Sequence, residues 1–244
     1  GATAGIGESF TRLLADNNYN IVLVARDLPR LEERARALEA QYKISTHLIQ
    51  ADLATDAGCA VVEQYITSNQ IDVLINNAGF GLNKAFTMSS LEAEQQMLDV
   101  LVRTPMRLMH SALPGMKERN KGVVINVSSV AGYIAGGSYS ASKSYVTVLS
   151  ESLNTELSGT NVKVSALCPG FTHTEFHETA GLMDMKNKMA KWLWYEAKVV
   201  VCDGINGVED GKSVVVSGRL YRWLDPIFQS VWTRRFLRIK ARPD

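Results

Sequence analysis

The sequence predicts an α/β domain built on one doubly wound parallel sheet with helices on both faces. Three observations predict it. Short, nearly all-apolar runs alternate with longer stretches of helical periodicity. The runs lack the polar–apolar alternation of a half-exposed sheet, so both faces must be covered, as between two helical layers. The chain also opens on a glycine loop, Gly1-Ala2-Thr3-Ala4-Gly5-Ile6-Gly7, that leads straight into an amphipathic stretch. Strict alternation of strand and helix restricts the winding to right-handed crossovers.

In chain order, a helix is expected over 6–17, opening from the glycine loop, and a strand over 20–25. A helix over 28–40 follows, with Pro29 in its first turn, where a missing N–H costs nothing. A strand over 47–51, a helix over 57–68 and a strand over 71–76 come next, the last ending in Asn76-Asn77-Ala78-Gly79. A long helix over 91–113, a strand over 122–127, a second long helix over 138–157, a strand over 162–167 and a late strand over 212–216 complete the alternation. A phosphate-type glycine loop follows a central strand, so a further strand and further residues are expected ahead of Gly1, where any targeting segment could lie.

Two stretches break the rhythm. Residues 171–195 are long and mixed and would cover the carboxyl edge of the sheet, a lid over the place where ligands bind in such folds. Residues 219–244 form a basic amphipathic tail, with Leu220, Trp223, Leu224, Ile227, Phe228 and Val231 at helical spacing and cations toward the end. The expected organisation is one dinucleotide-binding and catalytic domain over 1–218, carrying the lid, and the tail over 219–244.

Length and composition agree. At 244 residues the chain suits one domain with a core that needs no staples. A formal net charge of +1 excludes the basic excess of a nucleic-acid binder. Cys59, Cys168 and Cys202 are odd in number and far apart, which gives no disulfide framework and no zinc site, and fits reduced thiols in the cytoplasm. No apolar run reaches the roughly 18 to 20 residues that span a bilayer. His173 and His177 are four apart but no third ligand accompanies them, so no metal is expected.

Glycine at positions 1, 5 and 7 lets the backbone turn tightly against a diphosphate, with Thr3 and Ile6 in the same loop and the following helix offering free N–H groups and its positive dipole end. The strand over 20–25 ends in Ala25-Arg26, where a dinucleotide site that prefers NAD(H) carries an acid for the ribose hydroxyls. Ala25 cannot serve, while Arg26 can pair with the extra phosphate of NADP(H) or remain a solvated surface arginine. NADP(H) is therefore expected over NAD(H), with Asp27 pointing away or serving the helix start. Asp52, with Leu53 beside it, could accept from an adenine amino group or open the next helix.

Tyr139 and Lys143 are four apart and share one helix face. A nearby ammonium favours a phenolate, so Lys143 should lower the Tyr139 pKa and let Tyr139 give a proton to a carbonyl oxygen or take one from an alcohol. Together with Gly1-x-x-x-Gly5-x-Gly7, Asn76-Asn77-Ala78-Gly79, Ser128-Ser129 and Pro169-Gly170, this Tyr-x-x-x-Lys pair makes the chain resemble the short-chain dehydrogenase/reductase family over essentially its whole length.

The resemblance implies a Rossmann-like fold and hydride transfer between NADP(H) and a carbonyl or alcohol. It implies Tyr139, Lys143 and Ser129 as catalytic residues, Ser129 rather than Ser128 because it directly precedes Val130-Ala131-Gly132, and a hold by Lys143 on the nicotinamide ribose. It places Asn77, Ala78 and Gly79 against adenosine and ribose, and Pro169, Gly170, Thr172 and Thr174 along the nicotinamide. It also implies a homodimer or homotetramer assembled through the two long helices. One position departs from the family pattern: Leu101 stands where relatives carry an asparagine that supports a proton relay. This raises the alternative of a weakly active NADP-binding sensor or interaction module. Phe171, Phe176, Leu182, Met183, Met185, Met189, Trp192 and Trp194 suit a hydrophobic substrate such as an acyl, steroid-like or other lipid ketone, or else simple packing of the lid. The tail could pack on its own domain or a partner subunit, or lie peripherally on an anionic membrane.

Overall fold

A computed structural model describes residues 1–82, 84–174, 190–230 and 232. Helix α1 (Gly5–Asp16) leads to strand β1 (Ile21–Ala25), helix α2 (Leu28–Tyr42), strand β2 (Thr46–Gln50), helix α3 (Asp56–Ser68) and strand β3 (Val73–Asn76). Helix α4 (Leu91–Leu98) and helix α5 (Thr104–Glu118) flank a π-helical turn over Asp99–Arg103. Strand β4 (Gly122–Val127), helix α6 (Gly137–Glu156) and strand β5 (Val162–Cys168) carry the candidate catalytic residues. Short strands β6 (Thr172–His173) and β7 (Tyr195–Glu196), helix α7 (Ala197–Glu209), strand β8 (Val214–Val216) and helix α8 (Arg219–Gln229) complete the described chain.

All strand pairs are parallel. The order is β3-β4-β5-β8 in one sheet and β1-β2 in another. Consecutive residues of the central strands point to opposite helical layers, which is why these strands are apolar on both sides. Val124 and Val164 pack with Val62 of α3 and Leu108, Met109 and Met116 of α5. Ile125 and Leu167 pack with Phe10 of α1 and Val200, Val201 and Val208 of α7. A third cluster, Leu23, Leu31, Ala35 and Leu38, fixes α2 on β1. Between β1 and β3 lies a trench of about 900 Å³, walled by Val22 and Val24 on one side and Val73 and Ile75 on the other.

Most elements lie within two residues of expectation. The long helix expected over 91–113 is present but widened by a π turn between α4 and α5, and it runs on to Glu118 through Pro114. Pro105, at the start of α5, has no N–H to offer the carbonyl four residues back, that of Leu101. The chain instead widens by one residue, and the Thr104 N–H reaches the Asp99 carbonyl. Beyond Pro114, buried Met116 keeps the helix on the sheet. The first helix of the tail packs on the domain, with Tyr221 of α8 4% exposed against Ala166, Cys168 and Val216.

A polar thread crosses the buried sheet. The Asn76 amide donates to the Asn126 side-chain carbonyl at 2.8 Å, and the Asn126 amide donates to Ser150 Oγ at 2.9 Å, joining β3, β4 and α6. Asn126→Ala leaves the Asn76 amide and Ser150 without these partners, and should destabilise the fold by about 2 kcal/mol or more. Urea unfolding measures this, and a loss under about 0.5 kcal/mol would contradict a structural role for the thread.

Candidate active site

The glycine loop is anchored at its first residue. The Gly1 nitrogen donates to the Val24 carbonyl at 3.0 Å, and the Asn77 amide donates to the Gly1 carbonyl at 2.9 Å. These bonds clamp the loop between the ends of β1 and β3. At Gly7 a Cβ would fall 1.8 Å from the Gly1 carbonyl oxygen, so no larger residue fits. Gly5 begins α1 at φ +55°, and a Cβ there would meet the Thr174 side chain at 2.9 Å. Thr3 is buried, and Ile6 packs on the α1–α7 core beneath the loop. Ala4, the N-cap of α1, supplies no side-chain acceptor, so the first N–H groups of the helix stay open to an anion. A loop that excludes side chains and ends on an uncapped helix fits a dinucleotide diphosphate.

At the end of β1, Arg26 is exposed, and its carbonyl accepts from Gln50 Nε2 at 3.0 Å. Asp27 turns to the helix start, where its carboxylate accepts the Arg30 N–H at 3.0 Å, leaving Arg26 as the charged residue beside the loop. Asp52 accepts the Ala54 N–H at 3.0 Å, within the turn ahead of α3. Leu53 packs toward the core, and its carbonyl accepts from Thr104 Oγ1 at 2.6 Å.

The carboxyl end of β4 separates its two serines. Ser128 is buried, hydrogen-bonded to the Lys143 carbonyl at 2.8 Å and to Thr147 Oγ1 at 2.8 Å. It staples β4 to α6 and is closed to a substrate. Ser129 is half-buried. Its Oγ accepts the Ala131 N–H at 3.1 Å, which caps a short 3-10 turn over Val130–Tyr133. Its hydroxyl also lies near enough to that of Tyr139 to favour the phenolate. The structure therefore brings Ser129 and Tyr139 together and holds Ser128 apart.

Lys143 is 5% exposed, its Nζ donating to the Val127 carbonyl at 2.7 Å and lying 5.7 Å from the centre of the Tyr139 ring. Burial drives its pKa down to about 8, because an ammonium loses more from desolvation than a neutral amine does. Burial also pushes the Tyr139 phenol up to about 12, and the nearby Ser129 hydroxyl opposes that only in part. The lowered phenol pKa expected from sequence is thus corrected. Desolvation outweighs the lowering effect of Ser129, and Tyr139 holds its proton at neutral pH.

Leu101 is 1% exposed and lies in the π turn. A Cβ on Gly79 would fall 2.9 Å from Leu101 Cδ2 and 3.9 Å from Lys143 Nζ. Leu101, at the position where the family pattern has an asparagine, therefore presents hydrocarbon to the same space that the Lys143 amine borders. Ala78 leaves room only for glycine at position 1, where a Cβ would meet its backbone at 2.8 Å.

The Pro169-Gly170 turn forms the opposite wall. The Pro169 carbonyl accepts the Val130 N–H at 3.1 Å, and the Ser129 Oγ approaches it at 3.4 Å. Thr172 is buried, its Oγ1 donating to the Gly170 carbonyl at 3.1 Å, whereas Thr174 faces Gly5. Sequence reasoning missed Tyr221. Its ring would meet a Cβ on Gly170 at 2.1 Å, and its hydroxyl accepts the Phe171 N–H at 3.2 Å and donates to the Leu193 carbonyl at 3.0 Å. Only its helical spacing within the tail's apolar arc could have pointed to it. Trp194 lies against Phe171 at 5.2 Å and His173 at 5.3 Å between ring centres. Phe176, His177, Leu182, Met183, Met185 and Met189 lie outside the described residues, as do Val231 and the tail beyond Trp232.

The family model for short chain dehydrogenases matches residues 1–184. Among similar proteins, the chain is 34% identical over 186 residues to an NADP-dependent 3-hydroxy acid dehydrogenase of Escherichia coli, covering 72% of each chain. The fold matches that of a short-chain dehydrogenase from Sphingobium yanoikuyae in complex with NADPH, with a TM-score of 0.84 and 28% identity, covering 100% of this chain and 96% of that one. It also matches a bulky-bulky ketone specific alcohol dehydrogenase from Comamonas testosteroni, with a TM-score of 0.79 and 26% identity over 96% and 91% of the two chains. The chain belongs to the short-chain dehydrogenase family.

The Lys143 amine should titrate with a midpoint near 8 when followed by nitrogen NMR. A midpoint above 10, the range of an exposed lysine, would contradict the buried setting described here.

Proposed function

We propose that this chain reduces the carbonyl of a hydrophobic substrate with NADPH, or oxidises the matching alcohol, with Tyr139 as the proton-transfer residue. The observation that carries this reading is the buried Lys143 amine, held on the Val127 carbonyl at the carboxyl end of β4 and 5.7 Å from the centre of the Tyr139 ring. The glycine loop with Gly1, Thr3, Gly5, Ile6 and Gly7 would hold the diphosphate, and Arg26 the phosphate that distinguishes NADPH. Asn77, Ala78, Gly79, Pro169, Gly170 and Thr174 would line the rest. The reduced nicotinamide supplies hydride when bound.

The protein's own residues handle the proton. Ser129 orients the substrate oxygen by a hydrogen bond. Tyr139, protonated at neutral pH, donates its proton to that oxygen as negative charge builds there. The Lys143 ammonium then stabilises the phenolate left behind. Leu101 keeps one side of that amine dry, which strengthens the charge interaction and narrows the route by which water returns the proton. If that route fails, the protein is an NADP-binding module of low activity, and Leu101→Asn should restore turnover.

The Phe171–Trp194 pair supports an apolar substrate, as does the bulky ketone specificity of the Comamonas testosteroni enzyme. The relation to the Escherichia coli enzyme favours a second reading, a 3-hydroxy acid. A homo-oligomer is supported by the exposed Tyr145 and Val148 on α6, which border a cavity of about 740 Å³.

NADPH oxidation over bulky ketones, acyl carbonyls of graded length and 3-oxo acids tests the substrate class. Turnover rising with apolar bulk is expected, while a preference for 3-oxo acids would move the protein to the second reading. Arg26→Ala should weaken NADPH by about tenfold or more, the worth of one charge-assisted hydrogen bond, and should leave NADH nearly unchanged. Equal weakening of both would remove Arg26 from the site. The reduction rate should hold through neutral pH and fall as pH rises through about 8, because Lys143 is charged below its pKa and neutral above it. A rate flat from pH 7 to 10 would separate Lys143 from the chemistry.

A further inference from the structure

Helix α8 is apolar on more of its surface than the domain covers. Tyr221 faces inward and Leu220 and Leu224 are half-buried, but Trp223 is 74% exposed and Ile227 is 41% exposed. Arg219, Trp223 and Ile227 are spaced four apart and form one stripe along the outer face. Arg219 is exposed, and Arg222 reaches Asp203 at 3.6 Å. From position 219 to the end, the sequence carries seven basic residues against two acidic ones. A helix with tryptophan on its apolar face, arginine at the border and a cationic continuation has the make-up of an element that lies in a bilayer interface. Among the described residues no helix is long and apolar enough to cross a membrane.

The helix is also joined to the candidate site. The Tyr221 ring lies against Gly170, and its hydroxyl binds Phe171 and Leu193. Exposed Trp192 is the neighbour of Leu193. A surface that receives Trp223 and Ile227 therefore lies across helix α8 from the Pro169-Gly170 wall, about one helix diameter, roughly 10 Å, away.

We propose that the Arg219–Trp223–Ile227 stripe of α8 seats the protein on an anionic lipid surface, beside the wall of the catalytic site. The charge of the tail selects this occupant, because anionic headgroups complement it and the tryptophan takes its place at headgroup depth. Lipid binding stands on these residues alone. Delivery of a lipid-phase carbonyl to Tyr139 rests on the function proposed above.

The test is co-sedimentation with phosphatidylcholine vesicles, with and without phosphatidylglycerol, for the wild-type chain and a Trp223→Ser/Ile227→Ser variant. Both residues lie outside the binding and catalytic residues, so the variant should keep its thermal midpoint, its NADPH affinity and its turnover of a water-soluble ketone. The wild type should sediment with phosphatidylglycerol vesicles, stay in solution with pure phosphatidylcholine, and be released by raising salt from 50 mM to 500 mM. The variant should bind at least tenfold more weakly. Absence of wild-type binding, or equal binding by a folded variant, would overturn the proposal. So would a variant that falls to a smaller oligomer while still binding vesicles, which would assign the stripe to a second copy of the chain. Vesicle binding without turnover of any carbonyl would uphold this inference and count against the enzymatic reading instead.

Discussion

The amine of Lys143 ends in the protein interior, bonded to the carbonyl of Val127 at the last turn of the central strand. An ammonium in such a place costs free energy unless polar groups surround it, and much of the local architecture serves that need. Ser128 and Thr147 bind the Lys143 carbonyl and hold α6 on β4. Gly79 leaves the space that the amine and Leu101 both border. The same burial that depresses the lysine pKa raises that of Tyr139. The two groups, close together on the pH scale in water, are thereby driven apart to about 8 for Lys143 and about 12 for Tyr139, so Tyr139 keeps a proton to give while Lys143 titrates.

The remaining site residues come from strand ends. β3 supplies Asn77 to Gly79, β4 supplies Ser129, β5 supplies Pro169 and Gly170, and the loop before α1 closes the near side. The sheet is held in register beneath them by the Asn76–Asn126–Ser150 thread, whose partners lie on three elements. Loops fixed in this way present side chains with little conformational freedom left to lose on binding. Helix α8 extends the arrangement outward, because Tyr221 links it to both Phe171 and Leu193.

The parallel α/β fold was legible in the sequence because buried strands and amphipathic helices have different periods, and the glycine loop fixed their starting point. Tyr139, Lys143, Ser129 and the loop glycines were legible as spaced motifs, and the structure brings them together. Three features were not. The widening at Leu101 depends on Pro105, whose missing N–H acts on a carbonyl four residues back. The direction of the Tyr139 shift depends on burial, which a four-residue spacing does not report. Tyr221 depends on contacts with residues about thirty and fifty positions away, and its place in a stretch read as a tail concealed them.

The central claim is that Tyr139 is the acid and that its hydroxyl, not its ring, matters. Tyr139→Phe keeps the ring and removes the proton. Single-turnover NADPH oxidation with a ketone substrate, alongside the NADPH Kd, measures the difference directly. The account predicts a Kd within about threefold of wild type and a rate lower by about 100-fold or more, the usual worth of a general acid. A variant that retains its rate within about tenfold would show that the proton comes from elsewhere, and the assignment of Tyr139 would fall.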